Sequence, residues 1–196
     1  MATPAMLSPR AGAGINRVDA EEFYVAIKSA KIEGKRGAYL SLYSEGEYQH
    51  NVCYLTDDKK AGFALDNGNV ISVFKHPQYN GKATDVLIPE ALRQGGNRLD
   101  CFNGILPIIY SKFGFKPVAK IHFNREFAPH EWNYERDKEP DIIFMIYQEV
   151  TAQVTYGGQT ADERKVWVEH IINHLPYSST YGEGQQMQQD ALRRTT

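Results

Sequence analysis

A tyrosine inside the segment NGILPIIYSKFGF is the first residue of this sequence whose chemistry needs an explanation. The segment, residues 103–115, is typical of a short amphipathic helix, which Asn103 or Gly104 can open and Gly114 can close. Its predicted buried face consists of Ile105, Ile108, Ile109 and Phe113. Tyr110 lies among these residues, where a phenol hydroxyl needs a partner and can donate a hydrogen bond or a proton.

A pair of histidines is the second candidate for chemistry, because His170 and His174 are four residues apart in a predicted helix. That spacing can hold a metal ion. No third ligand with suitable spacing is visible in the sequence, and the pair lies beside or opposite an apolar stripe of Trp167, Ile171 and Leu175. We therefore interpret the two histidines as part of a solvated polar face and predict no metal site.

The composition indicates one domain of moderate size with extensions, because the 196 residues are 42% apolar and can build a core. The formal net charge is -2, and no run of Lys and Arg is interleaved with aromatic residues, so we expect no nucleic-acid partner. We predict no membrane span and no secretory signal, since no apolar run is long enough. Cys53 and Cys101 lie in separate strand-like runs, which predicts free buried thiols in a reducing cytoplasm.

The N-terminal half is predicted to form an antiparallel meander that follows a flexible arm and one helix. Residues 1–17, rich in Ala, Gly and Pro, form the predicted arm. Asp19 caps the helix, whose apolar face consists of Phe23, Ile27 and Ala30. The strand-like runs are AYLSLY (38–43), HNVCYL (50–55), AGFAL (61–65) and NVISVF (69–74). The Asn67-Gly68 pair predicts a tight hairpin between the last two.

The C-terminal half alternates strands and helices, which favours an α/β layer joined to the meander. HPQYNGKA leads into a helix over 84–93, and the strands RLDCF, VAKIHF and DIIFMIY follow, with the helix 103–115 after the first of them. The domain is predicted to cover 18–149. A capping box at Thr160 and Glu163 starts a helix in the extension 150–175, and 176–196 is predicted to be a flexible polar tail.

This order of elements, HPQYNGKA before a helix, and the spacing of Asn103, Tyr110 and Gly114-Phe115 resemble the GCN5-related N-acetyltransferases, the GNAT superfamily. The likeness covers roughly residues 18–149. It implies an α/β (α+β) fold in which an antiparallel meander is followed by β-α-β-α-β. It also implies a cleft between splayed fourth and fifth strands, with acetyl-CoA as co-substrate and an amine as acceptor.

The resemblance assigns the CoA pyrophosphate to the loop 78–85, where backbone amides and a helix dipole can bind an anion. Aligned on His76-Pro77, the family's Arg-Gly-x-Gly-x-Gly loop falls on 80–85 and keeps only Gly81 of its three glycines; an alignment two residues earlier fits a looser family pattern. Asp85 adds a negative charge there. The residues implied to bind acetyl-CoA are Val73, Phe74, Gln78, Asn80, Gly81, Lys82, Ala83, Thr84 and Asn103.

Tyr110 matches the position of the family tyrosine near the CoA sulfur, so the resemblance implies that it assists the departing thiolate as the catalytic residue. A thiol with a pKa near 8.5 and a phenol near 10 are close enough for proton transfer or a stabilising hydrogen bond. A lysine-like amine is neutral in only about 0.04% of molecules at pH 7, so a base or water relay is needed. The candidates are Asp66, Asp100 and His50, each of which also has an ordinary structural explanation.

Two functions are consistent with these residues. The first is a cytoplasmic acyl-CoA-dependent N-acyltransferase in which a primary amine attacks acetyl-CoA directly. The alternative is a catalytically inactive GNAT-like structural or interaction module, such as a phage-encoded virion protein in the host cytoplasm or the particle. It would form a homo-oligomer or larger assembly through its C-terminal extension. The loop around Trp132 and Tyr134 borders the acceptor in the first reading, and it could equally anchor itself or mediate dimerisation.

Overall fold

A seven-stranded mixed β-sheet forms the centre of the protein in the computed structural model, which describes residues 14–149 and 160–195. The strands are β1 (Ile15–Val18), β2 (Val52–Thr56), β3 (Ala61–Asp66), β4 (Asn69–Lys75), β5 (Arg98–Phe102), β6 (Phe115–Ile121) and β7 (Ile142–Tyr147). They lie in the order β1-β2-β3-β4-β5-β7-β6. The helices of the described residues are α1 (Ala20–Glu33), α2 (Glu45–Tyr48), α3 (Thr84–Arg93), α4 (Ile105–Ser111), α5 (Tyr134–Asp137), α6 (Ala161–His174) and α7 (Tyr181–Thr195).

Strands β2 to β4 form an antiparallel meander, as predicted, and β1 adds a further antiparallel strand beside β2. The hairpin between β3 and β4 turns at Asn67 and Gly68, whose φ angles are 47° and 84°. Two successive residues with positive φ make the turn whose twist matches antiparallel strands, and Asn-Gly adopts it readily. The hairpin prediction is therefore confirmed.

The first predicted strand, AYLSLY, is wrong. Residues Gly37–Tyr39 form a 3₁₀ turn instead, because the Lys31 ammonium donates to the carbonyls of Gly37 and Leu40, both at 3.0 Å, and holds this segment against the end of α1. The edge strand beside β2 is β1 instead. Its pairing with β2 runs from Ile15 opposite Thr56 to Val18 opposite Cys53. The predicted arm 1–17 is thus part of the sheet from Ile15 onward, and its residues 1–13 lie outside the described residues.

The seam between β4 and β5 is the feature of the sheet that matters most for function. These strands run parallel, and their register contains the single pair Asn69–Arg98. Strand β4 also bulges: Gly62 pairs with Phe74 and Ala64 with Ile71, so two residues of β4 face one residue of β3. Ser72, in the bulge, has a φ of 51°. The bulge and the short pairing separate the two strands beyond their first residues.

The C-terminal half of the sheet is antiparallel, with β7 between β5 and β6. A meander followed by strands and helices in alternation is the arrangement that the sequence predicts; the parallel pairing of β4 with β5 is added by the structure. The predicted fold class, a mixed α/β sheet with separated fourth and fifth strands, is confirmed by this topology.

The two sheet faces carry separate cores. One core includes Phe63, Leu99, Tyr110 and Met145 and is covered by α3, α4 and α6. We call this the α4 face. The other core, under α1 and α2, contains Phe23, Ile27, Tyr48, Cys53, Leu55 and Phe74. Side chains alternate between faces along a strand, so Asp100, next to Leu99, belongs to the opposite side, which we call the α7 face.

Helix α4 forms in the predicted segment but presents a different face to the core. Ile105, predicted to be buried, is 59% exposed, whereas Pro107, Tyr110 and Ser111 are buried. The helix is only seven residues long, and Ile105 is its first residue, next to the exposed Asn103 and the N-cap Gly104, so Ile105 lies at the exposed end of the helix. Gly114, with a φ of 99°, closes the segment as predicted.

Three other helices begin where the sequence predicts. The Asp19 carboxylate accepts from the amide of Glu22 at the start of α1. Helix α3 runs from Thr84 to Arg93. A capping box at Thr160 starts α6, whose fully buried residues are Val168 and Ile172, while the predicted stripe of Trp167, Ile171 and Leu175 is only partly buried.

The C-terminal residues differ from the flexible polar tail expected over 176–196. Residues Tyr181–Thr195 form α7, which packs against β6 and β7. Gln188 is buried, and its amide donates to the carbonyls of Leu99 and Met145 at 2.8 and 2.7 Å. Gly184 lies directly against the Phe144 ring, because it has no side chain. Polar hydrogen bonds and a close backbone approach hold this helix, and neither produces apolar periodicity in the sequence.

Both cysteines are free and buried, as predicted. Among the described residues, none of the helices is long and apolar enough to cross a membrane.

Candidate functional site

The loop before α3 presents a row of open backbone amides. The five amides from Asn80 to Thr84 donate to no acceptor among the described residues. The N-cap of α3 is Ala83, which has no side chain that could cap the helix, whereas α1, α2, α5 and α6 are capped by Asp19, Ser44, Asn133 and Thr160. Unused amides at the positive end of a helix dipole form an anion-binding environment.

Several hydrogen bonds fix the shape of this loop. His76 Nδ1 accepts from the Gln78 amide at 3.1 Å, and His76 Nε2 lies 3.2 Å from the Glu33 carboxylate. The Lys75 ammonium donates to the Gly81 carbonyl at 2.8 Å. Gly81 has a φ of 106°, which a residue with a side chain rarely adopts, and the space around it is open. The Gln78 amide is therefore occupied, and the open amides begin at Asn80.

The acidic residue of this loop is neutralised by a neighbouring helix. The Lys112 ammonium lies 2.7 Å from Asp85 Oδ1. Lys82 is exposed and free to extend toward a bound anion. The local charge is thus less negative than the sequence of the loop suggests.

Asn103, predicted to contact the cofactor, lies exposed just after β5. Its side-chain oxygen accepts from the amide of Gly104 at 2.9 Å, and its own amide donates to the Asp141 carbonyl. These bonds shape the turn into α4. Val73 and Phe74 lie in β4 at the separated part of the seam, with Phe74 buried under α1.

Tyr110 is buried on the α4 face, 7% exposed, with its ring edge toward Phe115. Burial raises the pKa of its hydroxyl well above the ordinary value, and the nearby Cys101 and Asp100 raise it further. The phenol therefore stays protonated at physiological pH and is a weaker acid than a free tyrosine. It can donate a hydrogen bond to a thiolate, but full proton transfer to one is unfavourable.

A cavity of about 350 Å³ opens on the α7 face of the sheet, at the β4–β5 seam. Its lining includes Asp66, Asn69 and Asp100 from the sheet, Tyr43, Glu47 and His50 from the segment around α2, and Tyr181 and Gln185 from α7. The volume lies within the range of about 300–1,000 Å³ typical of small-molecule sites. All three candidate bases, His50, Asp66 and Asp100, therefore line one cavity, and Tyr110 lies on the other face of the sheet.

Asp100 is the most constrained of these three candidates. Its Oδ1 accepts a hydrogen bond of 2.8 Å from the hydroxyl of Tyr181. Burial raises the pKa of the Asp100 carboxyl, and the bond from Tyr181 partly opposes this by favouring the charged form. Burial and the Asp100 charge together raise the pKa of the Tyr181 hydroxyl. His50 and Asp66 are exposed.

The remaining polar groups of the cavity give it an acidic, aromatic character. Glu47 belongs to the capping box of α2, where the Ser44 amide lowers the pKa of its carboxyl. Burial, and then the nearby Asp100, raise the pKa of the Tyr43 hydroxyl. The Asn69 side-chain oxygen is buried and has no hydrogen-bond partner among the described residues. Carboxylates, an unused acceptor and aromatic rings together suit a ligand that carries a positive charge and N–H donors.

The aromatic loop after β6 is built as an anchor. Trp132 is buried, donates to the Lys138 carbonyl at 2.9 Å, and packs against Tyr39, Phe102 and Phe123. These contacts favour the interpretation that Trp132 anchors the loop over the alternatives that the loop borders the acceptor or mediates dimerisation. The predicted polar face of α6 contains His174, whose Nδ1 lies 2.7 Å from the His170 carbonyl of the same helix. No group of three metal-ligating residues is found in the part of the chain that the structure describes.

Tyr43, Glu47, Tyr181 and Gln185 were not predicted as site residues. Tyr181 and Gln185 lie in the segment expected to be a flexible tail, and Tyr43 was placed in a strand that does not form. The capping pattern Ser44-x-x-Glu47 is a signal that predicts α2, and hence the position of Glu47.

Comparisons with known proteins give similarity at the level of structure. No protein-family model matches the sequence, and no curated protein matches it. A ribosomal-protein-alanine N-acetyltransferase from Brucella melitensis is similar over 68% of this chain and 98% of its own, with a TM-score of 0.46 and 10% identity. An IAA acetyltransferase from Bacillus cereus is similar over 68% of this chain and 97% of its own, with a TM-score of 0.45 and 14% identity. Apo YjaB from Escherichia coli is similar over 68% of this chain and 96% of its own, with a TM-score of 0.45 and 15% identity. At these values, what this chain does must be argued from its own residues.

Proposed function

We propose that the protein is a divergent GNAT-type, acyl-CoA-dependent N-acyltransferase that transfers an acetyl group from acetyl-CoA to a primary amine. The observation that carries this proposal is the separation of β4 and β5, with open amides beside it at the start of α3 and an acidic cavity on the α7 face. A thioester held in that gap would have the CoA pyrophosphate at the start of α3 and the acceptor amine in the cavity on the α7 face.

The amides from Asn80 to Thr84 support binding of the CoA pyrophosphate. A diphosphate needs several N–H donors and gains from the helix dipole, and both occur at the start of α3. Gly81 permits close approach of the backbone, and Lys82 adds a positive charge. The Lys112–Asp85 ion pair reduces the repulsion from Asp85.

The bulged backbone of β4 around Val73 and Phe74 is proposed to hold the thioester carbonyl. A bulge leaves backbone groups without partners on the neighbouring strand, and such groups can stabilise the negative charge that develops on the carbonyl oxygen. Tyr110, protonated at physiological pH, would donate a hydrogen bond to the departing sulfur from the α4 face. The acceptor amine would approach from the opposite face, through the acidic cavity.

Calorimetric titration with acetyl-CoA and with free CoA tests the cofactor part of this proposal. We expect micromolar binding of both ligands. Gly81→Asp should weaken binding at least tenfold, because it adds a negative charge among the open amides and strains a positive φ.

Gly95→Asp is the matched control. Gly95 also has a positive φ, 93°, and open space around it, but it lies beyond the other end of α3. It should suffer the same strain and keep its CoA affinity. If the protein does not bind either ligand at millimolar concentration, the acyltransferase proposal fails, and the alternative of a catalytically inactive interaction module takes its place.

A further inference from the structure

The contact between Asp100 and Tyr181 joins the central β-sheet to the C-terminal helix inside the cavity. Tyr181 is the first residue of α7, and Asp100 is in β5, two residues beyond Arg98, where the pairing with β4 ends. Both residues line the cavity. The carboxylate therefore lies at the point where the two strands begin to separate, on the face proposed for the acceptor.

We propose that Asp100 receives the ammonium group of the acceptor and takes its proton, and that Tyr181 is the positioning residue that orients the Asp100 carboxylate. This inference rests on the proposed function for the identity of the reaction. It goes beyond it by assigning the proton acceptor and by making α7 part of the acceptor site.

The chemistry that this pair would perform is balanced. An alkylammonium ion binds to the Asp100 carboxylate and gives it one proton, leaving a neutral amine. The nitrogen lone pair attacks the thioester carbon, the C–S bond breaks, and its electron pair leaves with sulfur. A second proton from nitrogen goes to the thiolate, and the proton on Asp100 returns to water. The products are an amide, free CoA and one proton.

Asp100 suits this role better than the other two candidates, because His50 and Asp66 are exposed to water. A carboxylate in a partly buried position binds an ammonium more strongly, since less water competes for either charge. One oxygen of Asp100 accepts from Tyr181, and a carboxylate has further lone pairs for a second donor. The tyrosine hydroxyl thus fixes the carboxylate without saturating it.

Other charged and titratable groups lie around Asp100. Those that line the same cavity are Tyr43, Glu47, His50 and Asp66. Arg98 lies two residues away in β5, donates to the Asn67 carbonyl at 2.8 Å and interacts with Asp66. Cys101 and Tyr110 lie on the other face. The cationic group nearest in sequence is therefore already engaged, and the cavity keeps an excess of negative charge for an ammonium ligand.

Helix α7 carries Tyr181 into this position through contacts made further along the helix. Gln188 binds the carbonyls of Leu99 and Met145, and Gly184 packs against Phe144, which pairs with Asp100 in the sheet. The hydroxyl of Tyr181 is therefore positioned from two turns away. The chain also contains a matched control: Tyr177, just before α7, donates to Asp141 Oδ2 at 2.7 Å and does not line the cavity.

The test uses n-butylamine as the probe, n-butanol as its neutral counterpart, and the full chain with Asp100→Asn, Tyr181→Phe and Tyr177→Phe variants. Binding is followed by NMR across pH, together with the titration of the Asp100 carboxyl carbon. We expect the wild type to bind butylammonium in preference to butanol. Binding should weaken as pH falls through the Asp100 pKa, and Asp100→Asn should weaken it about tenfold or more.

Tyr181→Phe should raise the pKa of Asp100, because it removes a hydrogen bond to the charged carboxylate, and the pH dependence of butylammonium binding should move upward by the same amount. Tyr177→Phe should change neither quantity. The proposal is overturned if the wild type does not bind butylammonium in preference to butanol, if Asp100→Asn binds like the wild type, or if the binding profile of Tyr181→Phe does not move.

Release of free thiol from acetyl-CoA in the presence of n-butylamine separates this inference from the proposed function. If CoA binds and thiol is released, the pH at which the rate falls on the acid side should move upward in Tyr181→Phe and stay in place in Tyr177→Phe. If it does not move in Tyr181→Phe, the inference about Asp100 and Tyr181 is overturned and the proposed function still stands. If acetyl-CoA does not bind, the proposed function fails, while pH-linked butylammonium binding would still support the Asp100–Tyr181 site.

Discussion

Lys112 and Asp85 form an ion pair of 2.7 Å that joins the residue after α4 to the first turn of α3. The pair lies beside the open amides of Asn80 to Thr84 and cancels a negative charge that would otherwise oppose an anion. Both side chains are substantially exposed, so the pair adds little to stability, about 0–1 kcal/mol. Its consequence is electrostatic and local to the loop.

Lys112→Ala should therefore weaken CoA binding more than it destabilises the fold. We expect a loss of affinity of about 3- to 10-fold, largest at low salt, because an unpaired Asp85 repels the pyrophosphate. Asp85→Asn in the Lys112→Ala background should restore affinity. Arg93→Ala, which removes a positive charge and breaks an ion pair with Glu90 at the other end of α3, is the control. Equal losses in the two alanine variants would contradict a local effect.

Gln188→Leu should detach or loosen α7. The substitution removes the donors to two buried carbonyls, Leu99 and Met145, and each buried group left unpaired costs about 1–3 kcal/mol. Urea unfolding should show a lower midpoint. Gln186→Leu is the matched control, because Gln186 is exposed and its amide donates to Asp190 on its own helix. A stability of Gln188→Leu within about 0.5 kcal/mol of the control would exclude this role.

Much of the fold was predictable because it rests on local signals. Asp19 and Thr160 cap their helices, Asn67-Gly68 turns its hairpin, and the apolar runs of β2 to β5 form strands. Strand β1 was missed because its four residues follow a glycine-rich arm and acquire strand geometry only by pairing with β2. Tertiary contacts rather than local preference determine such an element.

The candidate site was predictable only in part, since its two sides have different origins. The loop before α3 is one continuous segment of the chain, so its glycine and the start of the helix could be predicted from the sequence. The cavity brings together residues separated by long stretches, from Tyr43 to Gln185, and its C-terminal wall comes from a helix held by polar and glycine contacts. The three candidate bases were named, but sequence could not reveal that they share a cavity or that Tyr181 binds Asp100.

Gly184→Ala should destabilise the protein by about 1–3 kcal/mol, because a Cβ at this position would overlap with the Phe144 ring. Gly182 lies two residues earlier in α7, and a Cβ there meets open space. Gly182→Ala should therefore be neutral or stabilising, since alanine is more favourable than glycine in a helix by up to about 1 kcal/mol. Thermal unfolding of both variants measures this difference. Equal melting temperatures would mean that α7 does not pack closely on β7.

Tyr110→Phe should lower the turnover of acetyl-CoA by roughly 10²-fold with little change in KM, if its hydroxyl binds the departing sulfur only in the transition state. Because burial raises the pKa of this hydroxyl, the wild-type rate should show no loss from Tyr110 ionisation up to about pH 10. Pre-steady-state release of CoA across pH checks both points. Unchanged turnover in Tyr110→Phe would leave the residue a packing role on the α4 face.

Asp100→Asn should stabilise the folded protein at neutral pH. The folded-state pKa of Asp100 is raised by burial, so its contribution to stability is fully present below the ordinary carboxyl pKa near 3.9 and is lost as pH rises through the higher folded value. Asparagine keeps an acceptor for the Tyr181 hydroxyl and never ionises. The melting temperature of the variant should therefore exceed that of the wild type above this window and converge with it below about pH 4.

The exposed Asp66→Asn is the control for Asp100→Asn, because it changes charge in the same cavity without relieving burial. Its melting temperature should follow that of the wild type from acid to neutral pH. A stability difference for Asp100→Asn that does not depend on pH would mean that the Asp100 carboxylate is well solvated. It would then hold no advantage over Asp66 as the residue that receives the acceptor ammonium.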